Sequence, residues 1–321
     1  MRVRAQRGVA LVLMLLAMPV LVMVLQGQFG LAQATVTALD HQRAVDRAAF
    51  SMAAVTADTL NQIAINNQAI VASHLLQGHL VTQLSWTRYA VQLAHRGSWV
   101  MGWGAPSVAV HAHQAATRAL QVQEQLMPVW TQRLNLTVQA YQAANRLAQM
   151  RLAEQLLTAN QRAGTGLTVA RFNPQVPFAF GAAELEGKLL DHALSSRDWL
   201  NQRSWSQSFF GLFRLNKSGH SQSEAGQWKA EEQLTFKVRR LFGSKTVTVA
   251  QGAANSRDSG YWGSGQVTTL KPFHLWMSAH AGAHHAFSEV FSDREGQVDQ
   301  ALLYPVWDAR LVDPSSLRLS L

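Results

Sequence analysis

Residues 8–25 read GVALVLMLLAMPVLVMVL, a run with no charge and no strongly polar side chain. As a helix it spans about 27 Å at ~1.5 Å per residue, close to the ~30 Å hydrocarbon core of a bilayer. Residues 26–39 are also uncharged, and Asp40 is the first acid in the chain. Arg2, Arg4 and Arg7 precede the run, and positive charge stays on the cytoplasmic side. The sequence thus predicts a single transmembrane helix, with Gly8, Leu11, Leu15, Pro19 and Leu25 in its anchor. A short cytoplasmic N-terminus and export of everything after about residue 30 follow. Pro19 removes one helix hydrogen bond and kinks the segment, which membrane helices tolerate. A cleaved signal peptide also begins basic and apolar, and Ala32-Gln33-Ala34 fits its A-x-A site. The run exceeds the usual ~7–15-residue apolar region, and the following residues continue in helical periodicity. A retained anchor is the expected reading.

The rest of the chain must fold outside that segment. It has 321 residues, and 28 basic against 19 acidic side chains give a formal charge of +9. The isoelectric point is about 10.5 and the mean hydropathy −0.04. Hydrophobic residues make up 48% of the chain, enough for a core, so a wholly disordered chain is excluded. A single long apolar run argues against a polytopic membrane protein. The absence of cysteine excludes disulfide scaffolds, Fe–S clusters, Cys-ligated zinc and a cysteine nucleophile.

From Thr35 to about Leu93 the chain lacks proline and nearly lacks glycine. Apolar residues recur at helical spacing: Val45, Ala48, Ala49 and Met52, then Leu60, Ile63 and Ala64, then Ile70, Val71, Leu75 and Leu76. Asn66-Asn67 interrupts the stripe and is expected to weaken its middle, because Asn competes locally for backbone hydrogen bonds. One long helix, or two in series, is predicted. Residues 97–107 read as a break. Residues 107–163 form a second helical region, divided at Pro128, with Val138, Tyr141, Ala144, Leu147, Met150, Leu152 and Leu156 as its buried stripe. The two regions are expected to pack as an antiparallel hairpin or small bundle. Residues 182–195 read as a short helix. Around 200–290 the runs become short, aromatic and β-branched, as in SFFGLFRL (208–215), QLTFKVRRLF (233–242) and KTVTVA (245–250), with Gly243-Ser244 as a tight turn. An apolar C-terminal stretch, 302–311, is expected to dock on them. The fold class is α+β. Its parts are a cytoplasmic N-terminus (1–7), an anchor (8–29), a helical stalk or bundle (30–166) and a C-terminal α+β region of mostly antiparallel strands (167–321).

Chemistry-bearing constellations are sparse. His280, His284 and His285 lie in AHAGAHH, and clustered neutral imidazoles are potential zinc ligands. The segment is Gly/Ala-rich and follows a strand, with no H-E-x-x-H helix, so a solvated loop is the expected reading. His111 and His113 point apart on a helix. There is no G-x-S-x-G elbow, no phosphate-binding P-loop and no dinucleotide fingerprint. Lys237, Arg239 and Arg240 are the densest basic group. With export, a solvated strand face or attraction to anionic lipid and envelope polymers fits them better than nucleic acid. Trp199, Trp205, Trp228, Trp262, Trp276 and Trp307 read as core or interface anchors. No cofactor, no small-molecule substrate and no catalytic residue is expected.

Five stretches carry a resemblance. The apolar anchor opening Arg7-Gly8-Val9-Ala10-Leu11-Val12-Leu13 leads into Val45-Asp46-Arg47-Ala48-Ala49-Phe50-Ser51. Then come Leu60-Asn61 with Asn66-Asn67-Gln68-Ala69, and Ser85-Trp86-Thr87-Arg88-Tyr89. Tyr304-Pro305-Val306-Trp307-Asp308-Ala309-Arg310-Leu311 follows near the C-terminus. Together they resemble TadE/TadG-like Flp (tight adherence) pilus-assembly proteins over residues 7–89 and 304–311. The resemblance implies an inner-membrane-anchored, periplasm-facing, pseudopilin-like component of the Tad/Flp type IV pilus or related secretion machinery. Its partners would be the inner membrane and other Tad/Flp subunits. Leu13 stands where TadE/TadF pseudopilins carry a Glu, and the metal signature of the von Willebrand A domain found in large TadG proteins is absent. Two rivals to this non-enzymatic reading are a periplasmic metal-dependent hydrolase using the 280–285 histidines and an envelope binding or adhesive module.

Overall fold

In the computed structural model, the described residues are 2–100, 106–162, 167–172, 179–185, 189, 203–210, 212–224, 227–240, 243–257, 265–271, 275–292 and 301–312. Two helices come first, α1 (Arg2–Val100) and α2 (Pro106–Arg162). Ten strands follow: β1 (Leu167–Phe172), β2 (Ala179–Glu184), β3 (Trp205–Phe209), β4 (Phe213–Glu224), β5 (Gln227–Arg240), β6 (Gly243–Asn255), β7 (Gln266–Lys271), β8 (Leu275–Ala281), β9 (His284–Ser292) and β10 (Trp307–Val312). The class is α+β, with the strands all antiparallel to their neighbours.

α1 is one helix of 99 residues, about 150 Å long at ~1.5 Å per residue. It runs through Pro19 without ending, and Gly97–Val100 continue it. The expected break is therefore shorter, and its centre, residues 101–105, lies outside the described residues. α2 opens with Pro106 in its first turn, where a missing N–H costs nothing. Contrary to expectation, Pro128 does not divide α2. Met127 beside it packs with Leu75, Val81 and Leu84 of α1, so tertiary packing holds the turn where proline removes a donor. The helices form an antiparallel hairpin. Arg88 meets Glu124 (3.0 Å) near its closed end, and Asn66 meets Asn145 (2.9 Å) farther from it.

Three sheets lie along α1: β1-β8-β9-β10, the pair β2-β7, and β3-β4-β5-β6. The β structure begins earlier than expected, at Leu167, and includes β10. The predicted helix over 182–195 is corrected at its start. Ala182–Glu184 belong to β2, paired with Val267, Thr268 and Gln266, and most of the remainder lies outside the described residues. The Gly243-Ser244 turn is also corrected: Gly243 pairs with Arg240 as the first residue of β6, and the connection falls at 241–242, outside the described residues.

The core is shared between helix and sheets. Ala53, Ala57, Leu60, Ile63 and Ala64 of α1 pack with Leu270, Leu275, Met277, Val290 and Leu302. Farther along, Leu75, Val81 and Leu84 pack with Trp228, Ala230 and Ala254. Ala49, Ala53 and Ala57 let strands approach closely. Gly78 does the same for Trp228, since a Cβ there would stand 2.7 Å from the indole ring. Leu76, Leu147 and Met150, expected in the buried stripes, are exposed. On α2 their places are taken by Asn145 and Ala148, because close contact with α1 selects small or hydrogen-bonding side chains there. The side chain of Leu156 lies outside the described residues.

Candidate functional site

The N-terminal part of α1 is separated from the rest of the fold by its surroundings. Every described side chain from residue 17 to 41 is exposed, including Leu25, Phe29, Leu31 and Val36, and among the described residues the first that is fully buried is Val45. An eighteen-residue window here has a mean hydropathy of 1.3, and none of it is covered by the chain. The helix is long and apolar enough to cross a membrane. Soluble proteins rarely leave so much contiguous apolar surface bare. Pro19 and Leu25 lie on this stretch. Gly8, Leu11, Leu15, Arg2, Arg4 and Arg7 belong to α1, and their side chains lie outside the described residues.

The histidine segment is not the flexible loop expected. It is the β8–β9 hairpin, closed by Gly282-Ala283 with Gly282 at φ +59°. His280 and His285 are directly opposed, their rings 5.9 Å apart. His284 stands beside α1 instead. Its ring stacks on His41 at 6.1 Å, and its Nδ1 lies 3.3 Å from Gln42 Oε1. The three imidazoles thus divide between two environments. Among the described residues no group of three or more His, Asp or Glu is arranged to hold a metal.

Two buried polar networks were not foreseen. The first is centred on Asn67, which is fully buried on α1. Its Nδ2 donates to the carbonyls of Thr268 (2.9 Å) and Leu302 (2.7 Å), and its Oδ1 accepts from the Thr268 N–H (3.0 Å) and Asn145 Nδ2 (3.0 Å). Every hydrogen-bonding position of the amide is used. Asn66 donates to Asn145 Oδ1, and Asn145 donates to the Thr268 hydroxyl. Asn61, two helical turns earlier, exchanges two bonds of 2.9 Å with the Trp307 backbone, as an opposing strand would. Gln68 donates to the Leu303 carbonyl. A ladder of α1 amides therefore holds β7 and the segment 302–307.

The second network lies between α1 and the β3–β6 sheet. Glu232, fully buried, binds Arg203 Nε at 2.6 Å and Lys217 Nζ at 2.7 Å. Arg203 continues to Ser221, whose hydroxyl lies 2.6 Å from Thr82 Oγ1. Burial, and then the Glu232 charge, push the Tyr89 hydroxyl above its ordinary range. Both Glu232 oxygens are taken by cations, which is an arrangement for holding a sheet on a helix rather than for proton transfer to a substrate. Nearby, burial lowers His74 to about 4. Its ring lies 5.4 Å from Trp228, and its Nε2 lies 3.4 Å from Ser223 Oγ.

Four of the five stretches singled out in the sequence converge on these contacts; the side chains of Arg7–Leu13 lie outside the described residues. Val45 and Ala49 pack on Ala279 and Ala286. Ser85 donates to the Gly252 carbonyl, and Arg88 to that of Ala253. Tyr89 is buried against Leu234 and Ala250, and the C-terminal stretch provides β10. The signal that could have revealed the networks was the density of Asn and Gln on an otherwise apolar helix face. No family model, no curated protein and no solved structure matches the chain.

Proposed function

We propose that the chain is a single-pass, periplasm-facing assembly component of the bacterial inner membrane, acting without catalysis in a Tad/Flp type IV pilus or related secretion machine. One observation carries the reading. The uncovered apolar segment and the helix at the centre of the packed head are the same uninterrupted helix. An anchor built this way fixes the position of the head relative to the bilayer. The resemblance supplies the system. Beyond the anchor, the stretches that carry it join α1 to the strands, so they are residues on which the head's architecture depends. The arginines before the apolar run supply the orientation.

The test is extraction and end-group analysis of the protein in its native membrane. It should resist high salt and alkaline carbonate, with its N-terminus before Gly8; a start at Gly8 or Val9 would mean prepilin-type processing despite Leu13. A periplasm-active reporter should work after Leu93 and fail at Gln6. Release by carbonate with a start at Thr35 would replace the anchor with a cleaved leader. Reversed reporter activity would overturn the orientation. Membrane retention in cells that lack every other pilus component, with pilus output unchanged on deletion, would leave the anchor standing and refute the assembly role.

A further inference from the structure

At the end of the β3–β6 sheet farthest from the N-terminus, the chain places apolar side chains in front of cations. The β3–β4 connection carries Phe210, 93% exposed, and Leu212, 54% exposed. Phe210 holds φ at +52°, a conformation a bulky side chain rarely adopts, so an outward aromatic is kept there at a conformational cost. Behind the tip, an open concavity of about 560 Å³ is lined by four cations, Arg214, Lys237, Arg239 and Arg240. Arg214 stands directly across from Lys237, a like-charge pairing that destabilises a sheet unless an anion neutralises it. Ser206 accepts a 2.8 Å bond from Arg214 Nε and holds the guanidinium in place. Among the described residues, none of these four cations has a carboxylate partner within 4 Å.

We propose that this tip docks on the surface of an anionic phospholipid bilayer, with Phe210 and Leu212 entering the headgroup boundary and the four cations engaging lipid phosphates. An apolar wedge backed by basic residues is the pattern of interfacial binding. A single-stranded nucleic acid calls instead for several aromatic faces on which successive bases stack; here the outermost ring, Phe210, is followed by the aliphatic Leu212, and Phe213 is already stacked on Phe236 at 5.5 Å. The bilayer is a second one, an inference that rests on the anchor reading above. β6 lies along the distal part of α1 with its first residues at the outer end, tied by Arg96 to Thr248 and by Gln92 to Gln251. On the order of 100 Å of helix separates Leu25 from Arg96.

The full chain is reconstituted in phosphatidylcholine nanodiscs. Fluorescent vesicles are then offered, either of phosphatidylcholine alone or of equal parts phosphatidylcholine and phosphatidylglycerol. Discs should capture the anionic vesicles and leave the neutral ones, and added salt should weaken capture. Arg239→Glu with Arg240→Glu should reduce capture at least about tenfold, since each cation near such a surface contributes roughly fivefold. Phe210→Gly should lose most capture while melting no lower than the wild type, because glycine suits a positive φ. That pairing separates loss of binding from loss of fold. Equal capture of both vesicle types, capture indifferent to both variants, displacement by inorganic phosphate at matched ionic strength, or displacement by a single-stranded oligonucleotide would each overturn the proposal. If the chain washes out of the discs, the anchor reading fails, and cosedimentation of the same variants with the two vesicle types decides the tip by itself.

Discussion

Asn67→Ala is the sharpest test of how the head is held together. The side chain is fully buried and makes four hydrogen bonds, but their loss is not four equal losses. The Thr268 carbonyl keeps the Leu302 N–H at 3.1 Å, and Asn145 Nδ2 keeps the Thr268 hydroxyl at 3.1 Å. Two groups lose the amide that pairs them, the Thr268 N–H and the Leu302 carbonyl, both in buried residues. Each orphaned buried group costs ~1–3 kcal/mol, so the variant should lose about 4 kcal/mol. Gln68→Ala removes one half-buried bond to the Leu303 carbonyl and should cost about 1 kcal/mol. Asn67→Asp keeps the acceptor for the Thr268 N–H but turns an oxygen toward two carbonyls. It should be as damaging as alanine at neutral pH and partly recover in acid, relative to wild type at the same pH, as the protonated acid regains one donor. Denaturant unfolding of the full chain in mild detergent, followed by fluorescence of the buried Trp228 and Trp307, measures all three. Asn67→Ala within about 1 kcal/mol of Gln68→Ala would refute the reasoning, because the network would then contribute no more than a surface amide.

Two other outcomes follow from local geometry. His74 is lowered to about 4 in the fold against an ordinary 6.5, so its contribution is intact above pH 6.5. About 3 kcal/mol should drain away as pH falls from there toward 4, because only the unfolded chain takes up the proton. His74→Phe should flatten that slope in urea midpoints taken across the range, and parallel loss in both proteins would exclude His74 as the cause. At Gly252 a Cβ would stand 2.1 Å from the Ser85 carbonyl oxygen and 2.5 Å from the Tyr89 nitrogen, both helix backbone that does not yield. Gly252→Ala should cost about 3 kcal/mol by forcing β6 off α1, whereas Gly27→Ala, with open space around it, should be neutral or slightly stabilising. Comparable thermal midpoints for the two would show that β6 does not sit so tightly on the helix.

The helices and the strand-rich second half were legible because both rest on periodicity and breakers within a few residues of each other. The networks were not, because their partners are far apart in sequence. Asn67 and the Leu302 carbonyl are 235 positions apart, so from its neighbours alone Asn67 reads as a flaw in an apolar stripe. The second half of β2, 182–184, departs from the expected helix for a related reason. The strand's AFGAAE composition favours helix, but pairing with β7 overrides that preference, and Gly181 lets Thr269 approach within 2.7 Å of where a Cβ would be. In AHAGAHH the Gly/Ala content reads as a solvated loop, whereas the structure makes it a tight hairpin. A two-residue connection makes the flanking histidines strand residues and opposes His280 to His285. Burial of the Glu232 cluster was equally hidden, since Arg203, Lys217 and Glu232 are ordinary surface residue types until the sheet brings them under α1.

α1 passes through distinct surroundings without ending. At 17–41 it is exposed on every side, and from Val45 onward one face is covered by the β8–β9 hairpin. Between about 60 and 90 it is covered by α2 and sheets in turn. No single amphipathic period describes such a helix, because the buried direction shifts as successive strands cross it. Mostly good helix formers let it cross those changes, and fixation comes from side chains that bond the backbone of the strands and of the segment 302–303: Asn61, Asn67, Gln68, Ser85, Arg88 and Arg96. These bonds are directional, so they set the register of strands on the helix where apolar packing alone would allow sliding. The same bonds make the distal part of α1 a stiff member of the head. A change in tilt at the apolar end is then carried along the helix. About 10° there would swing Arg96 by roughly 15–20 Å over a lever on the order of 100 Å. On the anchor proposed above, the place that the basic, apolar-tipped end of the β3–β6 sheet can reach is governed by how the N-terminal segment sits in the bilayer and by what packs beside it there.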